Sequence, residues 1–237
     1  MNMQDYSNNS YQTTLASNFI RSVYTYMFIA LAISGVIAYA IGSNPATFMN
    51  LFMTAGGGVS ILFWVLMFMP IVLSLVIQWG FQRLSQEVLL LLFVAYSAAM
   101  GCTLSSIFLV YDIGSIAFTF FVASGAFAGM AVLGYTTKTD LTKFGSLLYM
   151  VLIGMILAGI INMFLGNGML DFIITIVGVF VFTGLIAYQM QQLKNVAFSS
   201  GFDYSTKNKL ALIGGLQLYI LFINLFLTLL RLLGGRD

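Results

Sequence analysis

Histidine is absent from this chain of 237 residues, cysteine occurs once, and only 7% of the residues are charged. Each shortage excludes something. Without His there is no imidazole to act as base, proton shuttle or metal ligand. A lone Cys102 rules out an intrachain disulfide and leaves the redox compartment unread. A charged fraction of 7% beside 60% hydrophobic residues is far below the roughly 25% charge of a soluble domain. A soluble fold of this length could not cover so much apolar surface. The net charge of +2 is too small and too scattered to suggest a nucleic-acid partner.

What is present is a repeated apolar run of about twenty residues, the length of helix that a hydrocarbon core of about 30 Å requires. Seven such runs are read at Ser22–Gly42, Gly58–Gly80, Val88–Val110, Ile113–Leu133, Phe144–Leu165, Phe172–Met190 and Leu210–Leu230, and none contains Asp, Glu, Lys or Arg. Each is continuous and lacks strict apolar–polar alternation, which predicts helices rather than barrel strands. Turn chemistry separates them at Gly42-Ser43-Asn44-Pro45, Tyr111-Asp112-Ile113-Gly114 and Gly166-Asn167-Gly168. The expected fold class is an all-α integral membrane protein, a bundle of seven transmembrane helices forming one domain over residues 19–237. Residues 1–18, rich in Asn, Gln, Ser, Thr and Tyr, read as a polar cytoplasmic tail without periodicity. Ala38-Tyr39-Ala40 has the form of a signal-peptide cleavage site, but the apolar run before it is long and Arg21 lies far from the start, so a retained first helix is expected.

Lys and Arg orient the bundle. With a cytoplasmic N-terminus, the inner loops hold Arg21, Arg83, Lys138, Lys143, Lys194, Lys207 and Lys209, and the outer loops between spans hold none. Arg231 and Arg236 fall outside if the last segment crosses fully, and inside if it is re-entrant; its apolar length favours a crossing. Asp140 and Asp171 each stand just before a span, where a carboxylate can accept orphan N–H groups and meet the helix dipole. Capping is the preferred reading of both over an ion site. Asp112 reads the same way, with an outer vestibule as the alternative. Pro70 frees a backbone carbonyl in the second span and predicts a kink.

Small residues crowd the third and fourth spans, including a G-x-x-x-G pair at Gly125 and Gly129. Such pairs let helix backbones approach closely, and packing within the monomer is expected ahead of dimerisation. It would place both helices in the interior. In the last span Gln217, Leu221 and Asn224 recur at i, i+4 and i+7 and so share one helix face. Amides in hydrocarbon need partners, so this face is expected to point inward and the last helix to be central. Interhelical glue and a polar pathway are both open readings of it. Gln189, Gln191 and Gln192 cluster at the inner end of the sixth span, where they could reach that region or be solvated. There is no H-E-x-x-H, no Gly-Lys-Ser phosphate loop, no Ser nucleophile beside a base and no pair of intramembrane Asp residues, so neither an enzyme nor a cofactor is expected.

Several segments in succession resemble the Bax inhibitor-1 family in its bacterial YccA-like branch. They are Phe19-Ile20-Arg21-Ser22-Val23-Tyr24, Leu104-Ser105-Ser106-Ile107-Phe108-Leu109-Val110-Tyr111, Gly134-Tyr135-Thr136-Thr137-Lys138-Thr139-Asp140-Leu141-Thr142, Ala187-Tyr188, and Leu218-Tyr219-Ile220-Leu221-Phe222-Ile223-Asn224-Leu225-Phe226. The resemblance implies a seven-helix bundle with the last helix at its centre, in a bacterial inner membrane. It implies either a pH-sensitive calcium leak or the restraint of a membrane-bound AAA protease as the function. In the leak model two aspartates at the inner mouth share a proton, one after the Ala-Tyr of the sixth span and one in the last helix.

This chain departs from the pattern at both places, with Gln189 after Ala187-Tyr188 and Leu221 between Ile220 and Phe222. An amide can imitate a protonated carboxyl but cannot ionise, and leucine can do neither. A hard divalent cation prefers carboxylate oxygens. The expectation is therefore a cation leak, calcium by resemblance, with weakened or absent pH gating and a path lined by Gln189, Leu221, Gln217 and Asn224. The alternative is a non-conducting regulator of the protease. A transporter of an uncharged solute is the remaining possibility, without an internal repeat to support it.

Overall fold

The computed structural model describes residues 3–54, 56–199, 201 and 203–235, with side chains from residue 13 onward except that of Tyr204. Among the described residues eight α-helices follow one another: α1 Met3–Gly42, α2 Pro45–Phe52, α3 Ile61–Gly80, α4 Gln86–Leu104, α5 Ile113–Thr136, α6 Thr142–Leu165, α7 Gly168–Phe198 and α8 Tyr204–Leu233. A short 3-10 segment, Ser105–Leu109, prolongs α4. Among the described residues the only strand-like pairing is an isolated bridge between Met53 and Val59. All helices but α2 are long and apolar enough to cross a membrane, seven in total. The chain is an all-α membrane protein.

The turns work as their residues predict. Asn44 Oδ1 accepts the Ala46 N–H at 3.0 Å and Pro45 takes the first position of α2, where its missing N–H costs nothing. Gly166 ends α6 in the left-handed region at φ 62°, and Asn167 Oδ1 then accepts the N–H groups of Met169 and Leu170 to start α7. That start corrects the reading of Asp171. Asn167 is the cap, and Asp171 lies one residue-turn inside α7, where it can act only on the helix dipole.

Two further expectations change, and the preferred crossing of the last segment keeps its basis. The polar stretch 1–18 is helical backbone from Met3 onward and runs unbroken into the first span; residues 1 and 2 lie outside the described part. The sixth span does not stop near Met190 but continues to Phe198, because α7 carries Lys194 beyond the apolar run without losing its ladder. α8 is continuous over thirty residues, with no internal break of the kind a re-entrant segment needs.

The chain divides into two compact units. The first spans Met1–Asp112 with Ser200–Tyr219, so it holds α1 to α4 and the first half of α8. Here α4 packs on α1 through Gly101, where a Cβ would lie 2.8 Å from the Ser34 carbonyl oxygen. Pro70 cannot donate to the carbonyl of Leu66. The Thr103 hydroxyl of α4 reaches that oxygen at 3.3 Å while also facing the Ala99 carbonyl at 3.1 Å. Lys209 of α8 donates from Nζ to the Leu84 carbonyl at 2.7 Å, tying down the loop between α3 and α4.

The second unit spans Ile113–Ser199 with Ile220–Gly235. Its α7 packs against both α5 and α6, and Phe222 of α8 meets Phe120 and Phe127 of α5 edge to face. α8 is the core helix of the protein. Within its span 72% is buried, against 11% for α3 and for α6, which show most of their surface to lipid. The small-residue pair of α5 behaves contrary to expectation. Gly125 and Gly129 are exposed, and a Cβ on either would meet nothing within 4 Å. The buried stripe of α5 is instead Thr119, Ala123, Phe127, Ala131 and Gly134. A helix that is apolar on every side does not disclose which stripe is inward.

Candidate functional site

The residues singled out on α7 lie where α5 and α6 pack against it within the second unit. Successive helix residues are turned by about 100°, so Ala187, Tyr188 and Gln189 look in three directions. The Ala187 backbone is pressed by Gly134 of α5, whose missing Cβ would fall on the Ala187 carbonyl. The Tyr188 ring is pressed by Gly145 of α6 in the same way, and it also meets the Tyr149 ring edge to face. Gln189 takes the remaining side and is only 7% exposed. An amide held at that depth is neutral at every pH, unlike a carboxyl.

On α8, Gln217, Leu221 and Asn224 do fall along one face of an unbroken helix. Leu221 is buried, and Gln217 and Asn224 are half-buried. Gln217 belongs to the first unit, whereas Leu221 and Asn224 share the second with Gln189. Asn224 turns its Nδ2 back to the Ile220 carbonyl of its own helix at 2.8 Å. One of its two amide hydrogens is thus spent within its own helix. Beside this face in the first unit, the Tyr219 ring packs edge to face on Tyr96 at 5.9 Å between centroids. The Tyr219 hydroxyl is buried on the side of Ser34 of α1.

Gln191 is the residue that the sequence undersold. It is buried rather than solvated, and its amide closes a two-pronged clamp on the loop between α5 and α6. Gln191 Oε1 accepts the Leu141 N–H at 2.8 Å, and Gln191 Nε2 donates to the Thr139 carbonyl at 2.8 Å. A primary amide is the one side-chain group that matches a peptide's donor and acceptor together. The clamp holds the segment that carries the most specific family-like motif.

Next to it, Asp140 Oδ1 accepts both the Thr142 N–H at 2.9 Å and the Thr142 hydroxyl at 2.6 Å. The capping reading of Asp140 is correct. Those bonds, with Lys143 nearby, hold its carboxyl below the usual carboxylate range. A lowered folded-state pKa stabilises the fold above the unfolded value, and that contribution is lost as pH falls through the lowered one. The thermal midpoint of the solubilised chain is therefore expected to fall on acidification below pH about 4, and Asp140→Asn should flatten that part of the profile. An unchanged profile in the variant would contradict it.

Among the described residues no three of His, Cys, Asp and Glu come together as a metal site. Gln189 and Gln191, toward the C-terminal end of α7, offer neutral amide oxygens and nitrogens.

Comparison with known proteins agrees with these features. The family model described as inhibitor of apoptosis-promoting Bax1 matches residues 16–237. An uncharacterized protein of Borreliella burgdorferi is 41% identical over 234 residues, 99% of each chain. The inner membrane protein YbhL of Escherichia coli K12 is 42% identical over 219 residues, 92% of each chain. A Caulobacter vibrioides protein is 41% identical over 220 residues, covering 92% of this chain and 88% of its own. With seven apolar helices, the Gly134–Thr142 loop clamped beside Ala187-Tyr188 and a family match over nearly its whole length, the chain belongs to the Bax inhibitor-1 family.

Proposed function

We propose that this protein is a non-enzymatic cation leak of a bacterial inner membrane, calcium being the expected ion, and that its flux does not respond to pH. The observation that carries the reading is the chemistry of two positions. Gln189 follows Ala187-Tyr188 and Leu221 lies between Ile220 and Phe222, so neither place can hold a titrating carboxylate. Within the second unit the path would be lined by Gln189 and Asn224, with Leu221 as an apolar constriction. The N-terminus and residues 1–18 would lie in the cytoplasm, where Lys and Arg of the inner loops favour it, and residues 19–237 would form the membrane domain. Similarity to the inner membrane protein YbhL supports the location.

Liposomes loaded with a calcium dye test the proposal. Flux is expected to be slow and to vary less than about twofold between pH 5 and 8, since no pathway group titrates there. A steep change over that interval would overturn it. In Gln189→Asp with Leu221→Asp, a pair of like charges should raise one pKa towards neutrality and make flux pH-dependent.

A second reading, a non-conducting regulator of a membrane-bound AAA protease, is favoured by one observation. Leu221 is buried between two half-buried amides, an apolar step that describes a plug as readily as a path. Flux no greater than that of protein-free liposomes, with a protease recovered by crosslinking in native membranes, would establish it in place of the leak.

A further inference from the structure

We propose that the cleft beneath the loop between α5 and α6 binds an anionic phosphate group, carried by a phospholipid headgroup or by a free phosphate compound. The cleft has a volume of about 380 Å³ and is lined by Thr137, Lys138, Asp140, Gln191, Lys194 and Asn195, all polar. It lies wholly within the second unit and does not depend on the leak.

Four features favour an anion there. Two lysines and one aspartate belong to the lining, and Oδ1 of that carboxylate is already engaged by the N–H and hydroxyl of Thr142. Lys194 rests over the Tyr135 ring, 5.4 Å from its centroid, a ring face being a weaker partner than a carboxylate or phosphate. The floor is rigid, because both ends of the Gln191 amide are bound to the loop backbone. A pre-ordered wall lowers the cost of binding. A divalent cation is disfavoured by the same inventory, since one committed carboxylate falls short of the six to eight oxygens that calcium gathers.

The place of the cleft suits a headgroup. Lipid-facing apolar side chains come up to its rim, with Val132 at 62% exposure on α5 and Phe144 and Leu147 at 52% and 55% on α6. The helices change there from apolar to charged within about two turns, which is the depth of the phosphate layer. Thr137, Asn195 and the two lysines would supply hydroxyl, amide and ammonium donors to phosphate oxygens.

The full chain, purified in detergent, can be offered phosphatidylglycerol and phosphatidylcholine in equal amount, with bound lipid counted by native mass spectrometry. Preferential retention of phosphatidylglycerol is expected. Each lysine near an anionic headgroup contributes about fivefold, so Lys138→Gln with Lys194→Gln should weaken retention about thirtyfold. Lys143→Gln, which removes a charge beside Asp140 but not from the lining, should weaken it by less than the cleft pair does. Asn195→Glu, at an exposed position that the fold tolerates, should also lower it by placing a second carboxylate at the rim. Equal retention of the two lipids, or undiminished retention by both cleft variants, would overturn the proposal. Inorganic phosphate at millimolar concentration separates the sources. Displacement of the lipid upholds the site as one for free phosphate compounds, and failure to displace upholds it as a headgroup site.

Discussion

Gly134→Ala is expected to lower the stability of the solubilised protein by about 1–3 kcal/mol, the cost of overpacking a filled contact. The obstacle is the carbonyl of Ala187, and a backbone atom cannot swing aside as the end of a side chain can. Relief requires α5 to move away from α7 along a contact that also includes Ala131 and Ala187, both buried. Gly125→Ala on the same helix is the matched control. Its new methyl meets nothing within 4 Å, and alanine is the better helix former by up to about 1 kcal/mol, so the variant should be neutral or slightly stabilised. Thermal midpoints of the two variants in one detergent decide the matter. Equal loss at both positions would show that helix flexibility, and not the contact with Ala187, is what Gly134 supplies.

Gln191→Leu is expected to cost about 2–3 kcal/mol. The side chain keeps much of its volume, but the Leu141 N–H and the Thr139 carbonyl both lose their partner. Because Thr139 is exposed and Leu141 half-buried, water can restore part of the loss, which keeps the figure below two full buried defects. Gln191→Glu should fall between, since a carboxylate still accepts from Leu141 but faces the Thr139 carbonyl with a second acceptor. Hydrogen exchange at the Leu141 amide reads the clamp directly and should quicken in both variants. A Leu variant with unaltered stability and exchange would refute the role.

Much of the fold was legible because lipid is a strict reader of charge. The seven runs and the turns at Asn44-Pro45 and Gly166-Asn167 appear where expected, since capping depends on residues close in sequence. Ends were harder. α7 passes through Lys194 because a helix leaving the hydrocarbon has no reason to stop, while hydropathy does. Inward faces were hardest. The motif at Gly125 and Gly129 suggested a close contact that lies instead at Gly134, one helical stripe away. Lipid and protein interior are alike apolar, so composition cannot separate them on α5. Sequence sets Gln191 only in a cluster with Gln189 and Gln192. What singles it out is the loop backbone about fifty positions earlier, which it grips.

The hydroxyl of Thr103 on the Leu66 carbonyl bears on how the chain enters the membrane. On its own in hydrocarbon, α3 would carry the carbonyl orphaned by Pro70, an unsatisfied group costing several kcal/mol. The donor that relieves it belongs to the next helix and is shared with Ala99. α3 therefore has reason to wait at the translocon until α4 has been synthesised, and to be released into lipid with it as a hairpin. A single proline thus makes the second crossing conditional on the third.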